Sequence, residues 1–377
     1  MSHSGDTRFA ALFVACLLAL QAASAEQAQD ILKASGVQGG LVVHLGCGDG
    51  KLTAALRASE SFIVHGLDAD PSNVATARKH IQSTGLYGVV SVEQWAGDRL
   101  PYVDNLVNLI VANDLGKLPM DEALRVLTPR GVALIGGKKT VKPWPKQIDD
   151  WTHYLHGPDN NAVARDSVVD IPRSIQWVAE PRWGRSHEEL ASMSAAVTAQ
   201  GRIFYIEDEA PLASIRYLAD WKLVARDAFN GTLLWKHPIT SWVDHLRQFR
   251  SGPAHLPRRL VAVGDRVYVT PNLAGPVLAL DAATGQTVCE YKGTERTEEI
   301  LAENGSLYLA VGTSEVERTG GGLFQRGEPA PSGFRFITAV EAASAKPLWK
   351  KDFSKDEFFL PLTLAVKGSH LRSNSRC

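Results

Sequence analysis

Cysteine is scarce in this chain, with four residues among 377. Cys16 lies in an apolar run near the N-terminus, and Cys47, Cys289 and Cys377 form no pair of recognisable spacing. A disulfide framework needs paired cysteines. The three cysteines outside the apolar run are an odd number, which argues against such a framework. The chain is nevertheless long enough for two or three domains, each with its own hydrophobic core.

A surplus of charge of either sign is also missing. The chain has 40 Lys and Arg against 41 Asp and Glu, which gives a net charge of −1. Nucleic-acid-binding surfaces are basic patches or stripes, and no such run occurs, so we predict no nucleic-acid partner. Hydrophobic residues make up 45% and charged residues 21%, a balance that is typical of a soluble folded protein.

The apolar run near the N-terminus is too short to cross a bilayer comfortably. It covers residues 9–20, and the small residues Ala23-Ser24-Ala25 follow it. A transmembrane helix needs about 20 apolar residues, whereas this pattern is typical of a secretory signal peptide. We therefore predict a signal peptide over residues 1–25, an exported (periplasmic or extracellular) chain, and no membrane span in the mature chain.

Residues 41–50 read LVVHLGCGDG, an apolar strand that runs into three glycines at alternating positions. Glycines at such a turn let the backbone approach a ligand closely. A dinucleotide-binding fingerprint G-x-G-x-x-G needs glycine at position 51, and that position is Lys51. The remaining pattern, Gly46, Gly48 and Gly50, resembles the class I S-adenosylmethionine-dependent methyltransferases.

Strands and helices alternate from about residue 31 to residue 140, in agreement with that resemblance. Predicted strands cover 62–67, 89–95, 106–112 and 132–135, and predicted helices cover 51–59, 73–83 and 120–127. Such units form a parallel sheet with the ligand at the carboxyl ends of the strands. We predict a Rossmann-like α/β domain over 31–137 without a closing antiparallel hairpin, and then a proline-broken linker over 138–150.

Two acids follow the predicted strands at the ligand edge. Asp68 ends the second strand, where a carboxylate can accept hydrogen bonds from both vicinal hydroxyls of a ribose. The family resemblance implies that Asp98, after the third strand, faces the adenine amino group. The predicted S-adenosylmethionine site therefore consists of Gly46, Gly48, Gly50, Asp68 and Asp98.

Two positions depart from the family pattern. The last polar residue of the first strand, usually acidic in the family, is His44, and the usual acid at the start of the fourth strand is Asn108. Both substitutions are expected to remove charge near the cofactor. The catalytic residue stays open, because Asn113 and Asp114 both follow the fourth strand and either could orient a methyl acceptor.

From about residue 151 the sequence repeats itself. Acid-led turns recur at Asp227, Asp281 and Glu341, which lie 54 and 60 residues apart. Each unit opens with a glycine-centred turn, at Gly201, Gly264 and Gly305. Four strands per unit at this period predict propeller blades. We predict an all-β, incomplete propeller of about three blades over 151–365 and an irregular tail over 366–377.

The turn pattern, acid-x-x-Thr/Asn-Gly followed by Trp or an apolar residue, resembles the pyrroloquinoline-quinone (PQQ) type of propeller repeat. That repeat occurs in quinoprotein dehydrogenases and in the propeller subunit of outer-membrane protein assembly. Residues 149–161 are similar to the segment that opens such propellers, and 174–178 would follow as an outer strand. The chain lacks the adjacent cysteines and the calcium-binding acids of the quinone enzymes, so we do not predict bound PQQ.

Other polar residues carry weaker signals. His153 and His156, with His187, are spaced more like loop residues than like metal ligands, so we predict no metal site. A polar and aromatic loop is a candidate partner-binding site, although a solvated connector is the favoured interpretation. Its residues are Arg182, Trp183, Arg185, His187, Glu188 and Glu189.

Three functions remain open. The first is methyl transfer from S-adenosylmethionine to an unknown acceptor. The second is a non-catalytic, extracytoplasmic propeller scaffold that binds an unknown protein or polymer at the propeller face. The third is a quinone-dependent oxidoreductase. Export favours the scaffold, because S-adenosylmethionine is a cytosolic metabolite. Propellers usually have four to eight blades, so we also expect a truncated or frame-disrupted version of a longer chain.

Overall fold

The computed structural model describes the chain from residue 22 onward, apart from residues 96, 170, 173, 181–183, 185–192, 215, 243–255, 313–333, 354–357, 360–362, 369, 374 and 377. Two compact units make up the chain: Met1–Pro145 with Phe229–Leu234 (unit 1), and Lys146–Ala228 with Trp235–Cys377 (unit 2). The apolar run at 9–20 lies outside the described residues, whereas residues 22–35 are helical (α1). Within the described part, no helix is long and apolar enough to cross a membrane.

Unit 1 is built on a six-stranded sheet in the order β3-β2-β1-β4-β5-β6. Its strands are β1 Gly40–Leu45, β2 Phe62–Asp68, β3 Val90–Gln94, β4 Val107–Ala112, β5 Leu127–Ile135 and β6 Lys138–Val141. Its further helices are α2 Lys51–Ala55, α3 Pro71–Ser83 and α4 Met120–Val126. Strands β1 to β5 pair in parallel, and β6 is antiparallel to β5. The predicted Rossmann-like α/β fold is confirmed.

The first strand is apolar on both faces because helices cover both. Val42 packs in a core with Ala54 of α2 and Ile81 of α3. Val43, on the opposite face, packs in a second core with Ala123 of α4. A parallel strand that is buried on both sides carries a nearly continuous apolar run, which is why the sequence predicts β1 correctly.

The segment after β5 differs from the prediction. The sequence predicts a linker over 138–150 and no closing hairpin, whereas Lys138–Val141 forms β6 against β5. The side chains of this edge strand are mostly exposed, and lysines are common on edge strands, so its composition resembles that of a linker. The Lys142 ammonium then donates hydrogen bonds to Asn105 Oδ1 at 2.6 Å and Leu127 O at 2.8 Å, which fixes the end of the strand.

The β-rich remainder contains three four-stranded sheets, and the strands of each follow chain order. The first sheet is β7 Met193–Ala199, β8 Arg202–Asp208, β9 Trp221–Asp227 and β10 Leu233–Pro238. A 3₁₀ helix, Leu256–Arg259, precedes the second sheet, β11 Leu260–Val263, β12 Arg266–Val269, β13 Val277–Asp281 and β14 Thr287–Tyr291. The third sheet is β15 Thr297–Glu303, β16 Ser306–Gly312, β17 Phe334–Glu341 and β18 Pro347–Asp352. The second and third sheets are antiparallel.

The segment that precedes the first sheet binds the first strands of successive sheets. Residues 174–178, predicted as an outer strand, are not part of a strand. Residues 151–153 instead form backbone or side-chain hydrogen bonds to each of the three sheets in turn. They include Trp151 O with Thr198 N of β7 (2.7 Å), Thr152 O with Ala262 N of β11 (3.0 Å), and His153 Nε2 with Ala302 N of β15 (3.0 Å). Three consecutive residues thus hold the three sheets beside one another.

The end of the chain is more regular than predicted. The sequence predicts an irregular tail over 366–377, but β20 Ala365–Lys367 pairs antiparallel with β21 His370–Arg372. Gly368 has a φ of 62°, close to the 59° of Gly264 in the hairpin that opens the second sheet. Leu364 and Val366 are buried against the third sheet, so short strands with few apolar residues still pack. The remaining strands, β19 Phe358–Phe359 and β22 Ser375–Arg376, pair with each other.

Candidate functional site

The glycine turn lies between the carboxyl end of β1 and the start of α2. Gly46, Gly48 and Gly50 have φ values of 71°, 53° and 79°, in the left-handed region that favours glycine. A Cβ at Gly46 or Gly48 would have no atom within 4 Å, whereas a Cβ at Gly50 would lie 2.7 Å from Ala77 Cβ. The first two glycines therefore leave the backbone open to a ligand, and the third lets α2 approach α3.

Asp68 ends β2 beside this turn and is only 7% exposed. Its Oδ2 accepts a hydrogen bond from Gly48 N at 2.9 Å, and its Oδ1 accepts from Asp70 N at 3.0 Å and Asn73 Nδ2 at 3.2 Å. A carboxylate offers about four lone-pair sites, so these donors leave room for about one more. One ribose hydroxyl can bind directly, and a second must replace a donor that is already present.

Asn73 is a site residue that the sequence prediction missed. It lies in the first turn of α3, and the start of this helix is fixed by Asp70, whose Oδ1 accepts from Ser72 N at 2.8 Å. Pro71 occupies the first helical position, which favours the same start. One sequence feature could have predicted it: Asn73 is a polar residue in the first turn of the helix that follows β2, and β2 ends in an acidic residue.

The polar residue of β1 is buried and uncharged. His44 is 7% exposed, and its Nδ1 lies 2.8 Å from Thr53 Oγ1. Burial lowers the pKa of His44 to about 4, although nearby Asp68 acts in the opposite direction. The imidazole is therefore neutral at neutral pH. Burial also raises the pKa of Cys47 to about 11, so this residue of the glycine turn is a thiol and a weak nucleophile.

Asn108 lies far from the glycine turn, which corrects one expectation. The parallel register pairs Val42 of β1 with Leu109 of β4, so Asn108 stands near the amino end of β1. Its Oδ1 accepts a hydrogen bond from Leu41 N at 2.8 Å. Ligands of such sheets bind at the opposite, carboxyl edge. The expected loss of charge near the cofactor is therefore wrong at this position, where the amide holds the start of β1.

The other predicted residues of unit 1 are exposed at the carboxyl edge. Asp98 lies in the loop after β3, and Asn113 and Asp114 follow β4. Asp114 Oδ1 accepts a hydrogen bond from Gly116 N at 2.9 Å, which stabilises its own turn. The structure thus joins Asp68 directly to the glycine turn and leaves the choice between Asn113 and Asp114 open.

The histidines of unit 2 make structural hydrogen bonds. His153 is buried, and its Nδ1 lies 2.7 Å from Thr152 Oγ1. His156 Nε2 lies 2.6 Å from Asp149 Oδ2. In the part of the chain that the structure describes, no three His, Cys, Asp or Glu side chains are grouped to hold a metal ion. His187 lies outside that part, as do the other residues of the predicted partner-binding loop, Arg182, Trp183, Arg185, Glu188 and Glu189.

Comparison with known proteins matches the region that contains this site. Residues 42–131 match the family model described as a methyltransferase domain. Over 103 residues the chain is 33% identical to the ribosomal protein L11 methyltransferase of Anoxybacillus flavithermus (strain DSM 21510 / WK1). That match covers 26% of this chain and 32% of the relative's length.

Two experimental structures are similar over part of the chain. A candidate S-adenosyl-L-methionine-dependent methyltransferase from Methanococcus maripaludis is 25% identical, with a TM-score of 0.27, over 29% of this chain and 52% of that one. The YcgJ protein from Bacillus subtilis is 24% identical, with a TM-score of 0.26, over 29% of this chain and 49% of that one. The family match, which spans Gly46 to Asp98, supports a class I methyltransferase domain in unit 1 and S-adenosylmethionine as its cofactor.

Proposed function

We propose that unit 1 binds S-adenosylmethionine at the β1–α2 turn and transfers its methyl group to an acceptor. The observation that carries this proposal is the pairing of Gly48 with Asp68. The left-handed glycine has open space at its Cβ position, and its N–H is held at 2.9 Å by a buried carboxylate. The pair lies at the carboxyl edge of a parallel sheet, where ligands of such folds bind.

The residues that hold the cofactor have separate roles in this proposal. Gly46 and Gly48 let the backbone lie against the cofactor, because no side chain fills the space. Asp68 accepts one ribose hydroxyl at its remaining lone-pair site. The second hydroxyl replaces Asn73 Nδ2, which at 3.2 Å makes the longest of the three hydrogen bonds to Asp68. The exposed carboxylate of Asp98 accepts from the adenine amino group.

When bound, S-adenosylmethionine supplies an electrophilic methyl group on a sulfonium ion. The protein must then orient an acceptor toward that group and keep water away. Asp114 would serve as a base, or Asn113 as an orienting amide, at the carboxyl end of β4. Cys47 takes no part as a nucleophile, because burial holds its pKa near 11 and keeps it protonated.

Calorimetric titration of S-adenosylmethionine into the purified chain tests the proposal. We expect micromolar binding that Asp68→Ala weakens at least tenfold and that Asp114→Ala leaves unchanged. Circular dichroism of each variant separates loss of the site from loss of the fold. Transfer of a radiolabelled methyl group to extract fractions then searches for the acceptor. A folded wild-type chain that gives no binding heat and no labelled product would overturn the enzyme function.

A second candidate function is supported by the β-rich region. The three sheets would be successive blades of a PQQ-type propeller that acts as a non-catalytic scaffold, outside the cytoplasm, for a protein or polymer. The contacts of residues 151–153 with β7, β11 and β15 support this arrangement. No group of described residues favours the quinone-dependent oxidoreductase.

The N-terminus of the chain distinguishes these two functions. Cell fractionation followed by N-terminal sequencing shows whether the chain is exported and whether it begins at Glu26. An exported chain that begins there favours the scaffold, because cytosolic S-adenosylmethionine would not reach it. A cytosolic chain that keeps residues 1–25 favours the methyltransferase.

A further inference from the structure

The dipeptide Asn-Gly occurs twice in the chain, at Asn230-Gly231 and at Asn304-Gly305. Each lies in the turn between two neighbouring strands of one sheet, β9 and β10 or β15 and β16. Glycine has no Cβ to shield its backbone nitrogen, so that nitrogen can attack the side-chain amide of the preceding asparagine. The two sites therefore have the same local chemistry, and their surroundings distinguish them.

The side-chain amide of Asn230 is held at both of its polar atoms. Its Nδ2 donates hydrogen bonds to Leu106 O at 2.8 Å and to Asn108 Oδ1 at 2.7 Å. Its Oδ1 accepts a hydrogen bond from Thr232 N at 3.0 Å. All four residues belong to unit 1, and Asn230 is half-buried. Any reaction that expels the Asn230 Nδ2 as ammonia must first break two hydrogen bonds of that nitrogen.

Asn304, by contrast, lies at the tip of the β15–β16 hairpin. The antiparallel register pairs Glu303 with Ser306, so Asn304 and Gly305 are the two residues of the turn. Their φ values are 49° and 75°, the left-handed pair for which Asn-Gly is preferred in two-residue hairpins. Both residues are exposed. Among the described residues, the Asn304 side-chain amide has no hydrogen-bond partner.

The backbone nitrogen of Gly305 is equally open. It donates no hydrogen bond to any residue that the structure describes, so hydroxide can reach its proton. A Cβ at Gly305 would have no atom within 4 Å, which shows that the space on that side of the backbone is empty. At this turn, the attacking nitrogen and the leaving nitrogen are therefore both in contact with solvent.

We propose that Asn304 is a modification site, at which the asparagine deamidates to a mixture of aspartate and isoaspartate. The deprotonated backbone nitrogen of Gly305 forms a bond to Asn304 Cγ, and the Cγ–Nδ2 bond breaks to release ammonia. Water then opens the resulting succinimide ring at one of its two carbonyl carbons. Cleavage of the bond to Cγ gives aspartate, and cleavage of the original peptide bond gives isoaspartate. The overall reaction consumes one water molecule and releases one ammonia.

The two products should affect the third sheet differently. Gly305 O accepts a hydrogen bond from Ala342 N at 2.9 Å, in the turn after β17. Isoaspartate adds one carbon atom to the main chain of a two-residue turn, which should move Gly305 O away from Ala342 N. Aspartate adds only a negative charge at an exposed position. We therefore expect isoaspartate, but not aspartate, to weaken the hydrogen bond of Ala342.

Proteolysis and mass spectrometry of the full chain, after incubation at mildly alkaline pH, test the proposal. Each deamidation raises the mass of the peptide by one unit. We expect Asn304 to react at least tenfold faster than Asn230 in the folded chain, whereas the two should react at similar rates in urea. Asn108→Ala removes one acceptor of the Asn230 amide, so it should speed the reaction at Asn230 and leave Asn304 unchanged.

Hydrogen exchange of the separated products tests the effect on the third sheet. The isoaspartyl form should exchange the Ala342 amide at least threefold faster than the starting chain. Asn304→Asp, which adds the charge without the extra carbon, is the matched control and should exchange at the original rate.

Two results would overturn the proposal. One is a folded chain, verified by circular dichroism, in which Asn304 keeps its mass while both sites react in urea. The other is an equal rate at Asn304 and Asn230 in the folded chain, which would mean that the hydrogen bonds of Asn230 give no protection.

Discussion

Gly48 N donates a hydrogen bond to Asp68 Oδ2 at 2.9 Å, across 20 residues of sequence. The acid at the end of β2 thereby holds the glycine turn at the end of β1. The residue that the sequence predicts as a ribose ligand is therefore also a structural partner of the glycine motif. Variants at either position change the shape of the turn as well as its ligand capacity, so each must be measured for stability and for binding.

Alanine at the first and third glycines should have different effects. Gly46→Ala places a Cβ in open space at positive φ, so we expect a loss of about 1–2 kcal/mol in the free energy of unfolding and loss of S-adenosylmethionine binding. Gly50→Ala meets Ala77 Cβ at 2.7 Å and should destabilise unit 1 more. Urea unfolding and calorimetry measure both quantities. Equal stability of the two variants would contradict the assigned roles.

Removal of the Asn73 amide should spare cofactor binding. Asn73→Ala deletes one hydrogen bond to Asp68, so we expect a loss of about 1 kcal/mol in the free energy of unfolding. It also frees a lone-pair site on Asp68, so affinity for S-adenosylmethionine should stay the same or rise. Asp68→Asn, which places donors toward Gly48 N, is the matched variant that should bind weakly. Weaker binding by Asn73→Ala would instead make Asn73 a ligand-contacting residue.

His153 should make unit 2 less stable in acid. Burial lowers its pKa from 6.5 to about 3, so between these values the unfolded chain binds more protons than the folded one. Stability is then fully present above pH 6.5 and falls by about 1.4 kcal/mol per pH unit on acidification toward pH 3. His153→Gln should remove this part of the slope. Urea unfolding between pH 4 and 8 gives the comparison, and identical slopes would exclude His153 as the cause.

Breaking the buried pair Arg258 and Glu299 should make stability depend on pH in the direction opposite to that of His153. The loss in the free energy of unfolding should be larger at high pH than at low pH. Arg258 Nη1 lies 2.6 Å from Glu299 Oε1, and the Glu299 side chain is fully buried. Burial raises the pKa of Glu299 to about 7, although Arg258 acts to lower it. The raised pKa stabilises the fold at low pH, and this contribution is lost as the pH rises from 4.5 to 7.

Arg258→Met should therefore cost about 3–5 kcal/mol at pH 8, because an unpaired charge stays buried. The cost should fall by at least about 1 kcal/mol at pH 5.5, where the carboxyl group is protonated. The double variant Arg258→Met with Glu299→Gln, which buries no charge, is the control and should show little pH dependence. Urea unfolding at the two pH values measures both variants. A cost for Arg258→Met that is independent of pH would contradict the assignment.

Local signals in the sequence determined the fold of unit 1. Strand β1 is apolar on both faces, and the glycines that follow it adopt the left-handed φ values that other residues rarely reach. Asp70 and Pro71 mark the start of α3, and the prediction placed this helix within two residues. Edge and terminal strands were missed, because the lysines of β6 and the short β20 lack the apolar alternation by which buried strands are recognised.

Partners that are distant in sequence were decided by the tertiary structure. The sequence showed that residue 108 is polar. It did not show that parallel strand pairing places this residue beside Leu41, away from the ligand edge of the sheet. It showed a tryptophan or an apolar residue after the acid-led turns of the repeat, but not what that side chain contacts. The structure alone determined that in the second sheet Tyr291, and not Cys289 at the equivalent position of the repeat, donates a hydrogen bond to Ala342 O. Sequence periodicity records which side chains are buried, whereas hydrogen-bond partners depend on strand register and on the distance between sheets, which are fixed only when the chain is packed.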